Sequence, residues 1–424
     1  MHNIFLSFLG FLARLIIQRH KPYIIGITGT VGKTTIATHV THFLMKKFGS
    51  KNVAYSPYHY NGEFGLPLTI IGMKSPWRNP FWWMRVFFVS IIRLLKKYPH
   101  YLVLEYGIDH PGEMDFLLSI AVPDIAVITP VEPNHLEQFG SIDNYRNHKI
   151  KIIKSAKCSI IHESLRQYIE TDALYYSLWA LSDIDASRIE IHLWWTRAIA
   201  HFDNQDYPLS IPAIGAFQIE NLLPLYAIAQ TLNINPLLIS EYASSSHPES
   251  GRSSIIPGIM DTTIIDGSYN GWYLSLREWI ISMRSFLYSH RIIFFLWDMR
   301  ELGESSQEIH EKLWKDILEN IPHTANVAFY LVGPLMKQYI APLLSKKFVV
   351  FSDASSRFLG TKILEDIKKH KQETIVYAKW SQNTIFIEEG LKILLKNKSD
   401  IQKLPRQAEF WMQKKEDFFS SLTN

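Results

Sequence analysis

The chain has 424 residues, with 44 Lys and Arg against 40 Asp and Glu, a formal charge of +4. That excess is small for the length and the basic residues are scattered, which argues against nucleic-acid binding. An apolar content of 47% supports packed cores in two or three domains, and the single cysteine, Cys158, excludes an internal disulfide and a cysteine-based metal site and fits a reducing, cytosolic compartment.

Taken in order, Ile4 to Ile17 is an apolar helical segment interrupted by Arg14. It is shorter than the roughly 20 residues of a membrane span. No Lys or Arg precedes it and no small-residue cleavage site follows, so it does not read as a signal peptide. Its basic end, Arg19-His20-Lys21, could meet lipid headgroups while the apolar face lies in the interface. Packing on the next domain accounts for it equally well.

Ile24 to Ile27 reads as a buried strand and runs into Thr28-Gly29-Thr30-Val31-Gly32-Lys33-Thr34-Thr35. Glycines let the backbone bend so that successive N–H groups face phosphate oxygens, and a helix starting near Lys33 adds its positive end. Lys33 is expected on the outer phosphates and the Thr34 hydroxyl on Mg²⁺. Ile27 stands where the generic phosphate-loop pattern has its first glycine, so the tighter T-G-T-x-G-K-T-T form carries the assignment. Behind it, Ile36 to Phe48 is amphipathic.

A short strand is expected at Val53 to Tyr55, then a ligand-facing loop rich in turn residues from Asn61 to Thr69. From Asn79 to Lys97 a helix is expected, with Arg85, Arg93, Lys96 and Lys97 on one side. Trp83, Met84, Phe87, Ile91, Leu94 and Leu95 fall on the other. Tyr101 to Leu104 is an apolar strand ending in Glu105, an acid placed to hold Mg²⁺ directly or through water. Asp124 to Thr129 repeats the strand pattern before Pro130-Val131-Glu132-Pro133-Asn134-His135. By itself His135 reads more readily as a loop hydrogen-bonding residue than as a metal ligand, and Lys149 as a solvated surface charge.

Ser159 to Pro212 is irregular and strand-like, and Gly215 to Leu232 reads as one helix. The break at Ser244-Ser245-Ser246-His247-Pro248 marks a domain boundary. Beyond it, strands at Thr262–Ile265, Ile292–Leu296, Val327–Val332, Val349–Phe351 and Thr374–Tyr377 alternate with helices, the pattern of a second α/β domain with a largely parallel sheet.

Several separated motifs agree in order and spacing with one family. Gly29-Thr30-Val31-Gly32-Lys33-Thr34-Thr35, Glu105-Tyr106-Gly107-Ile108-Asp109-His110-Pro111-Gly112-Glu113 and Asn134-His135-Leu136-Glu137-Gln138-Phe139-Gly140-Ser141 resemble segments of the Mur ligases, the ATP-dependent enzymes that build the peptidoglycan stem peptide. So do Pro248-Glu249-Ser250-Gly251-Arg252, Asp266-Gly267-Ser268-Tyr269-Asn270 and Asp298-Met299-Arg300-Glu301-Leu302-Gly303-Glu304. The resemblance spans roughly residues 22 to 395 and is closest to the MurF type, which joins D-alanyl-D-alanine to a UDP-MurNAc-tripeptide.

It implies an α/β fold, with a short apolar helix over 1–21, a P-loop ATP-binding domain over 22–244 and a Rossmann-like C-terminal domain over 245–424. It implies ATP and Mg²⁺, with Lys33, Glu105, His135 and Lys149 catalytic and the metal held by Thr34, Glu105, His135 and a carbamylated Lys149. Nucleotide contacts are expected from Gly29, Thr30, Gly32, Lys33, Thr34, Thr35, Asn221, Arg252, Asp266, Tyr269 and Asn270. The substrates implied are a muramoyl-peptide precursor and D-alanyl-D-alanine, in the cytoplasm or peripherally on the inner face of the membrane.

Departures are equally legible. MurF-type members carry an N-terminal UDP-sugar domain, whereas about two dozen residues precede the ATP loop here, so a separate sugar-binding partner is a further expectation. Pro130 replaces an Asn, Phe217-Gln218 a His-Asn, Trp272-Tyr273 an Asn-Pro and Trp297 a Gly. A Mur-type ligase with another acceptor, or a non-catalytic nucleotide-binding partner in the cell wall, stays open as an alternative.

Overall fold

The structure is a computed structural model that describes residues 2–57, 60–74, 80–269, 273–299, 302–370, 372–379 and 386–422. The chain divides into two compact units, one of residues 1–189, 197–210 and 217–246 and one of 190–196, 211–216 and 247–424.

A nine-stranded sheet is built from β1 (Tyr23–Thr28), β2 (Val53–Ala54), β3 (Tyr101–Glu105), β4 (Ile125–Ile128), β5 (Cys158–His162), β6 (Leu174–Tyr176), β7 (Ile184–Ile191), β8 (Thr196–Phe202) and β9 (Gln205–Ile211). Its order is β2-β3-β1-β4-β5-β6-β7-β8-β9. Strand β1 pairs in parallel with β3 on one side and β4 on the other, with Ile27 opposite Glu105 and Thr28 opposite Ile128. The chain leaves β1, travels to the sheet edge and returns, so the order reverses beside β1. In open parallel sheets, ligand sites form at such a switch point, beyond the carboxyl ends of the strands. Ile25 and Ile27 are fully buried, as expected of strands covered on both faces.

The helices of this unit begin with α1 (His2–His20), α2 (Lys33–Phe48), α3 (Gly65–Ile71), α4 (Pro80–Leu95), α5 (Glu113–Ile120), α6 (Leu136–Phe139), α7 (Ile142–Ile150), α8 (Ala216–Glu220) and α9 (Pro224–Thr231). Helix α1 buries Leu9, Ala13 and Ile16 in the core beside Leu117 and Ile120 of α5. Gly10 permits this approach, because a Cβ there would stand 3.1 Å from the side chains of Ile120 and Phe116. Arg14, the break in the apolar run, donates to Ser119 Oγ at 2.9 Å.

Three expectations are corrected. The loop expected over Asn61 to Thr69 turns helical at Gly65, because Leu66, Leu68 and Ile70 are core residues and Pro67 sits in the first turn, where its missing N–H is tolerated. The single helix expected over Gly215 to Leu232 is two, α8 and α9, parted just before Pro224, which takes the first position of the second. On α4 the division by charge does not match the division by burial. Val86 and Ser90 are buried and Arg93 turns inward to donate to the Ile71 carbonyl at 3.1 Å, whereas Met84, Phe87, Ile91 and Leu95 are exposed.

The second unit holds a six-stranded sheet of order β10-β11-β15-β12-β13-β14, made of β10 (Ser254–Pro257), β11 (Thr263–Gly267), β12 (Arg291–Trp297), β13 (Val327–Val332), β14 (Val349–Asp353) and β15 (Thr374–Lys379). Every pairing is parallel except that of β10 with β11. Asp298, in the stretch resembling D-M-x-E-L-G-E, has a structural task. It follows β12, is 2% exposed and accepts the Met336 amide at 2.7 Å at the start of the helix after β13. Arg300 and Glu301 of that stretch lie outside the described residues.

Behind β15 a charged cluster is closed off from water. Arg406 grips Glu388 with two bonds of 2.9 Å, and Lys415 meets Glu388 at 3.0 Å and Glu389 at 2.8 Å. Arg406 also donates to the Ser268 carbonyl at 2.7 Å, within the segment resembling D-D-S-Y-N. Arg406→Ala is expected to lower unfolding stability by about 3 kcal/mol, since it leaves the buried Glu388 to share Lys415 with Glu389. Denaturant titration reads this, and a loss below ~0.5 kcal/mol would show that the cluster contributes little.

Candidate active site

The phosphate loop follows directly from β1. Gly29 has φ +128° and Gly32 φ +89°, a region that side chains rarely occupy. A Cβ on Gly29 would meet Thr129 Oγ1 at 2.0 Å and the Thr129 carbonyl oxygen at 2.7 Å, so the loop runs against the end of β4 with no room to spare. Gly32 lies against Asn221, whose Oδ1 would be 2.8 Å from an added Cβ, so Asn221 stands beside the loop. Gly29→Ala is therefore predicted to cost roughly 1–3 kcal/mol of strain. It would be read as weakened ATP binding with a lowered melting temperature, and wild-type ATP affinity would contradict the assigned geometry.

Thr30 braces the loop. Its amide donates to the Pro130 carbonyl at 2.8 Å and its hydroxyl to the Glu132 carbonyl at 3.2 Å, while the Glu132 amide donates back to the hydroxyl at 3.1 Å. Pro130, one of the departures from the family pattern, thus serves the loop through its backbone oxygen. Lys33 opens α2 and donates to the Thr30 carbonyl at 3.2 Å, so its ammonium folds back over the loop. Thr34 and Thr35 follow in the first turn, whose amides point out of the helix end.

The Thr34 hydroxyl donates to Glu105 Oε2 at 2.8 Å, joining the first turn of α2 to the tip of β3. The segment after Glu105 is fixed by Tyr106 N to the Ile27 carbonyl at 2.8 Å and Gly107 N to the Asn61 carbonyl at 2.7 Å. This brings Asn61 to the segment that follows the tip of β3. Farther on, Gly112 (φ +92°) precedes α5 and Glu113 accepts the Asp109 amide at 2.6 Å.

His135 lies 3.2 Å from Asp109 through Nε2, with its backbone at φ +52° and its amide bonded to its neighbour Asn134 Oδ1 at 2.9 Å. Its ring packs edge-on to Tyr145, 6.2 Å between centroids. On the same helix, one turn farther, Lys149 is 1% exposed with its Nζ 4.5 Å from the Tyr145 ring centre. Burial, then the positive charge of Lys33, hold this amine well below its ordinary range, against the pull of Asp109 and Glu113. Lys149 is thus no solvated surface charge. A buried lysine without a close carboxylate favours the neutral amine.

Mg²⁺ takes hard oxygen donors, and it keeps several waters. Among the described residues no group of three or more His, Cys, Asp and Glu is gathered as a metal site. Thr34 Oγ1 and Glu105 Oε2 are hard oxygen donors at hydrogen-bond distance, of the kind Mg²⁺ binds, so one ion fits. Lys149 as an amine offers no oxygen, and a second ion fits only if that nitrogen is carboxylated.

In the second unit, Arg252 stacks over the Tyr269 ring at 4.5 Å and pairs with Glu249 at 3.4 Å. Asp266 is fully buried. Its Oδ1 accepts the Ser268 amide at 3.0 Å, its Oδ2 has no partner among the described residues, and burial pushes its carboxyl up to about 6. Asn270 lies outside the described residues.

Two residues escaped the sequence reading. Asp109, the partner of His135, was quoted only as part of a motif. Lys379 ends β15 as Glu105 ends β3, and burial and the Arg252 charge lower its ammonium to about 7. For Lys379 the available signal was an apolar strand that ends in a charged residue.

Residues 27–229 match the Mur ligase middle domain. The chain therefore carries the middle domain of the Mur ligases, which are ATP-dependent carboxylate–amine ligases. It is 26% identical over 375 residues to the UDP-N-acetylmuramoyl-tripeptide–D-alanyl-D-alanine ligase of Buchnera aphidicola subsp. Baizongia pistaciae, covering 84% of this chain and 73% of that one. With the enzyme of the same name from Haemophilus influenzae it shares 24% identity over 72% of this chain and 63% of the other, so it spans between three fifths and three quarters of these relatives. In fold it is similar to MurF from Thermotoga maritima in complex with ADP, with TM-score 0.74 and 21% identity over 94% of this chain and 84% of that one. MurF from Acinetobacter baumannii gives TM-score 0.71 at 19% identity, over 93% and 80%.

Proposed function

We propose that the chain is a MurF-type ligase that joins D-alanyl-D-alanine to the carboxylate of a muramoyl-peptide precursor at the expense of ATP. A carboxylate oxygen takes the γ-phosphoryl group and ADP leaves. The amine then attacks the acyl carbon, phosphate departs, and the amine gives up a proton. The gathering of Lys33, Thr34, Glu105, Asp109, His135 and Lys149 around the ends of β1, β3 and β4 supports this reading most strongly.

In it, Lys33 offsets charge on the outer phosphates and the loop amides hold them in line. Mg²⁺, held by Thr34 and Glu105, would neutralise charge developing on the phosphate oxygens. His135, oriented by Asp109, borders the metal site. Neutral Lys149 takes up CO₂ as a carbamate, forming a C–N bond and releasing a proton, and the new anion would supply oxygens to hold a second ion. Arg252, Asp266, Tyr269 and Asn270 are assigned to the nucleotide, with the unpartnered Asp266 Oδ2 as an acceptor for a ligand hydroxyl.

We place this work in the cytoplasm, peripherally at the inner face of the membrane. The reaction is tested by product mass, from purified protein, ATP, Mg²⁺, D-alanyl-D-alanine and a panel of muropeptide acceptors. A product heavier by one dipeptide, formed only with ATP, is expected. ATP binding with no joined product across the panel would instead favour a non-catalytic partner.

A further inference from the structure

Helix α4 is turned the wrong way for a helix in water. Its covered side presents Val86, Ser90 and the inward Arg93, while Met84, Phe87, Phe88, Ile91, Ile92 and Leu95 face outward, Phe88 at 59% and Leu95 at 82% exposure. Helix α1 extends the same surface. Phe5 packs edge-on to Trp83 at 4.1 Å, Phe8 stacks on Phe87 at 6.3 Å, and Phe8 and Phe11 stay exposed. The two helices therefore already cover the core, and the outward residues are a surplus that core packing does not use. An apolar surface of this continuity marks a partner or a lipid interface.

Charge decides between these. Of the chain's 44 Lys and Arg and 40 Asp and Glu, residues 1–104 hold thirteen basic residues and one acid, Glu63. The small net charge conceals a strongly positive first quarter. Neither α1 nor α4 contains an acid, and Arg19, Lys21, Arg85, Lys96 and Lys97 are exposed on or beside the apolar face. A second copy docked through this face would set like charge against like. No described helix is long and apolar enough to cross a membrane. Outward aromatic and aliphatic residues flanked by Lys and Arg, on a helix that does not span, suit the boundary between headgroups and acyl chains.

We propose that the outer face of α4, with Phe8 and Phe11 of α1, docks on an anionic phospholipid bilayer, apolar side chains in the interface and Arg85, Lys96 and Lys97 on lipid phosphates. The proposal is independent of the ligation reaction, and the experiment keeps the two apart. Full-length protein is floated with vesicles of phosphatidylcholine alone or mixed with phosphatidylglycerol.

Wild type is expected to float with the mixed vesicles, less so as salt rises, and to remain behind with phosphatidylcholine. A Phe88→Glu/Ile92→Glu double variant should lose flotation. Lys96→Gln/Lys97→Gln should weaken it roughly 30-fold, about fivefold per cation. Leu181→Glu, at a residue 93% exposed and remote from α1 and α4 in sequence, should bind as wild type does. All five positions are exposed, so unchanged melting temperatures and unchanged turnover of soluble substrates are expected alongside. Wild type that stays soluble with both vesicles at low salt would overturn the proposal. So would variants that float undiminished, or a wild-type dimer that Phe88→Glu/Ile92→Glu converts to monomer.

Discussion

Lys33→Ala is expected to lower kcat by about three orders of magnitude while leaving the fold intact. The ammonium folds over the phosphate loop, bonded at 3.2 Å to the Thr30 carbonyl, and is the cation nearest to where outer phosphates would lie. Phosphoryl transfer gains most from fixed positive charge placed before the reaction, and removing one such donor typically costs 10²–10³ or more. The side chain is half-buried at the start of α2, so stability should change by about 1 kcal/mol or less. Steady-state turnover with both substrates, beside a denaturant titration, reads both quantities. Unchanged turnover would remove the phosphate-loop assignment, and with it the ligase reading.

Lys149→Ala is the second large effect, a loss of two to three orders of magnitude in turnover by the same electrostatic reasoning. What separates it from an ordinary core truncation is chemical rescue. If the carbamate is the working form, short carboxylates in the buffer should restore part of the activity of Lys149→Ala, and mass analysis of wild type should show the carboxylated side chain. No rescue together with an unmodified lysine would defeat the assignment.

Stability against pH gives an independent reading of the same residue. In CO₂-free buffer the unfolded chain keeps the Lys149 proton up to about pH 10.5, whereas the folded chain releases it at a lower pH. Between those two values the unfolded state binds more protons, so stability rises with pH. Lys149→Met should lack that rise. Lys33 adds to the depression, so the two lysines are coupled and their double variant should be non-additive.

The sequence by itself determined the phosphate loop and the alternation of elements, because both are local. A strand that ends in glycines before a lysine and two threonines needs no distant partner to be read, and the five strands expected in the second domain recur with shifts of one or two residues at most. Glu105 was legible for the same reason, as an acid closing an apolar run.

What lay outside the sequence was set by contacts between distant segments. Lys149 looks solvated because its neighbours His148, Ile150 and Lys151 say nothing of Tyr145 closing over its amine or of Lys33 beyond it. His135 gains Asp109, twenty-six positions earlier, because β3 and β4 flank β1 and bring the segments after them together. Helix α4 shows the limit most plainly. Its periodicity separates charge from apolar side chains, but which side is covered depends on where α1 and α3 pack. There the fold buries Val86, Ser90 and Arg93 and leaves Phe88, Ile92 and Leu95 outside.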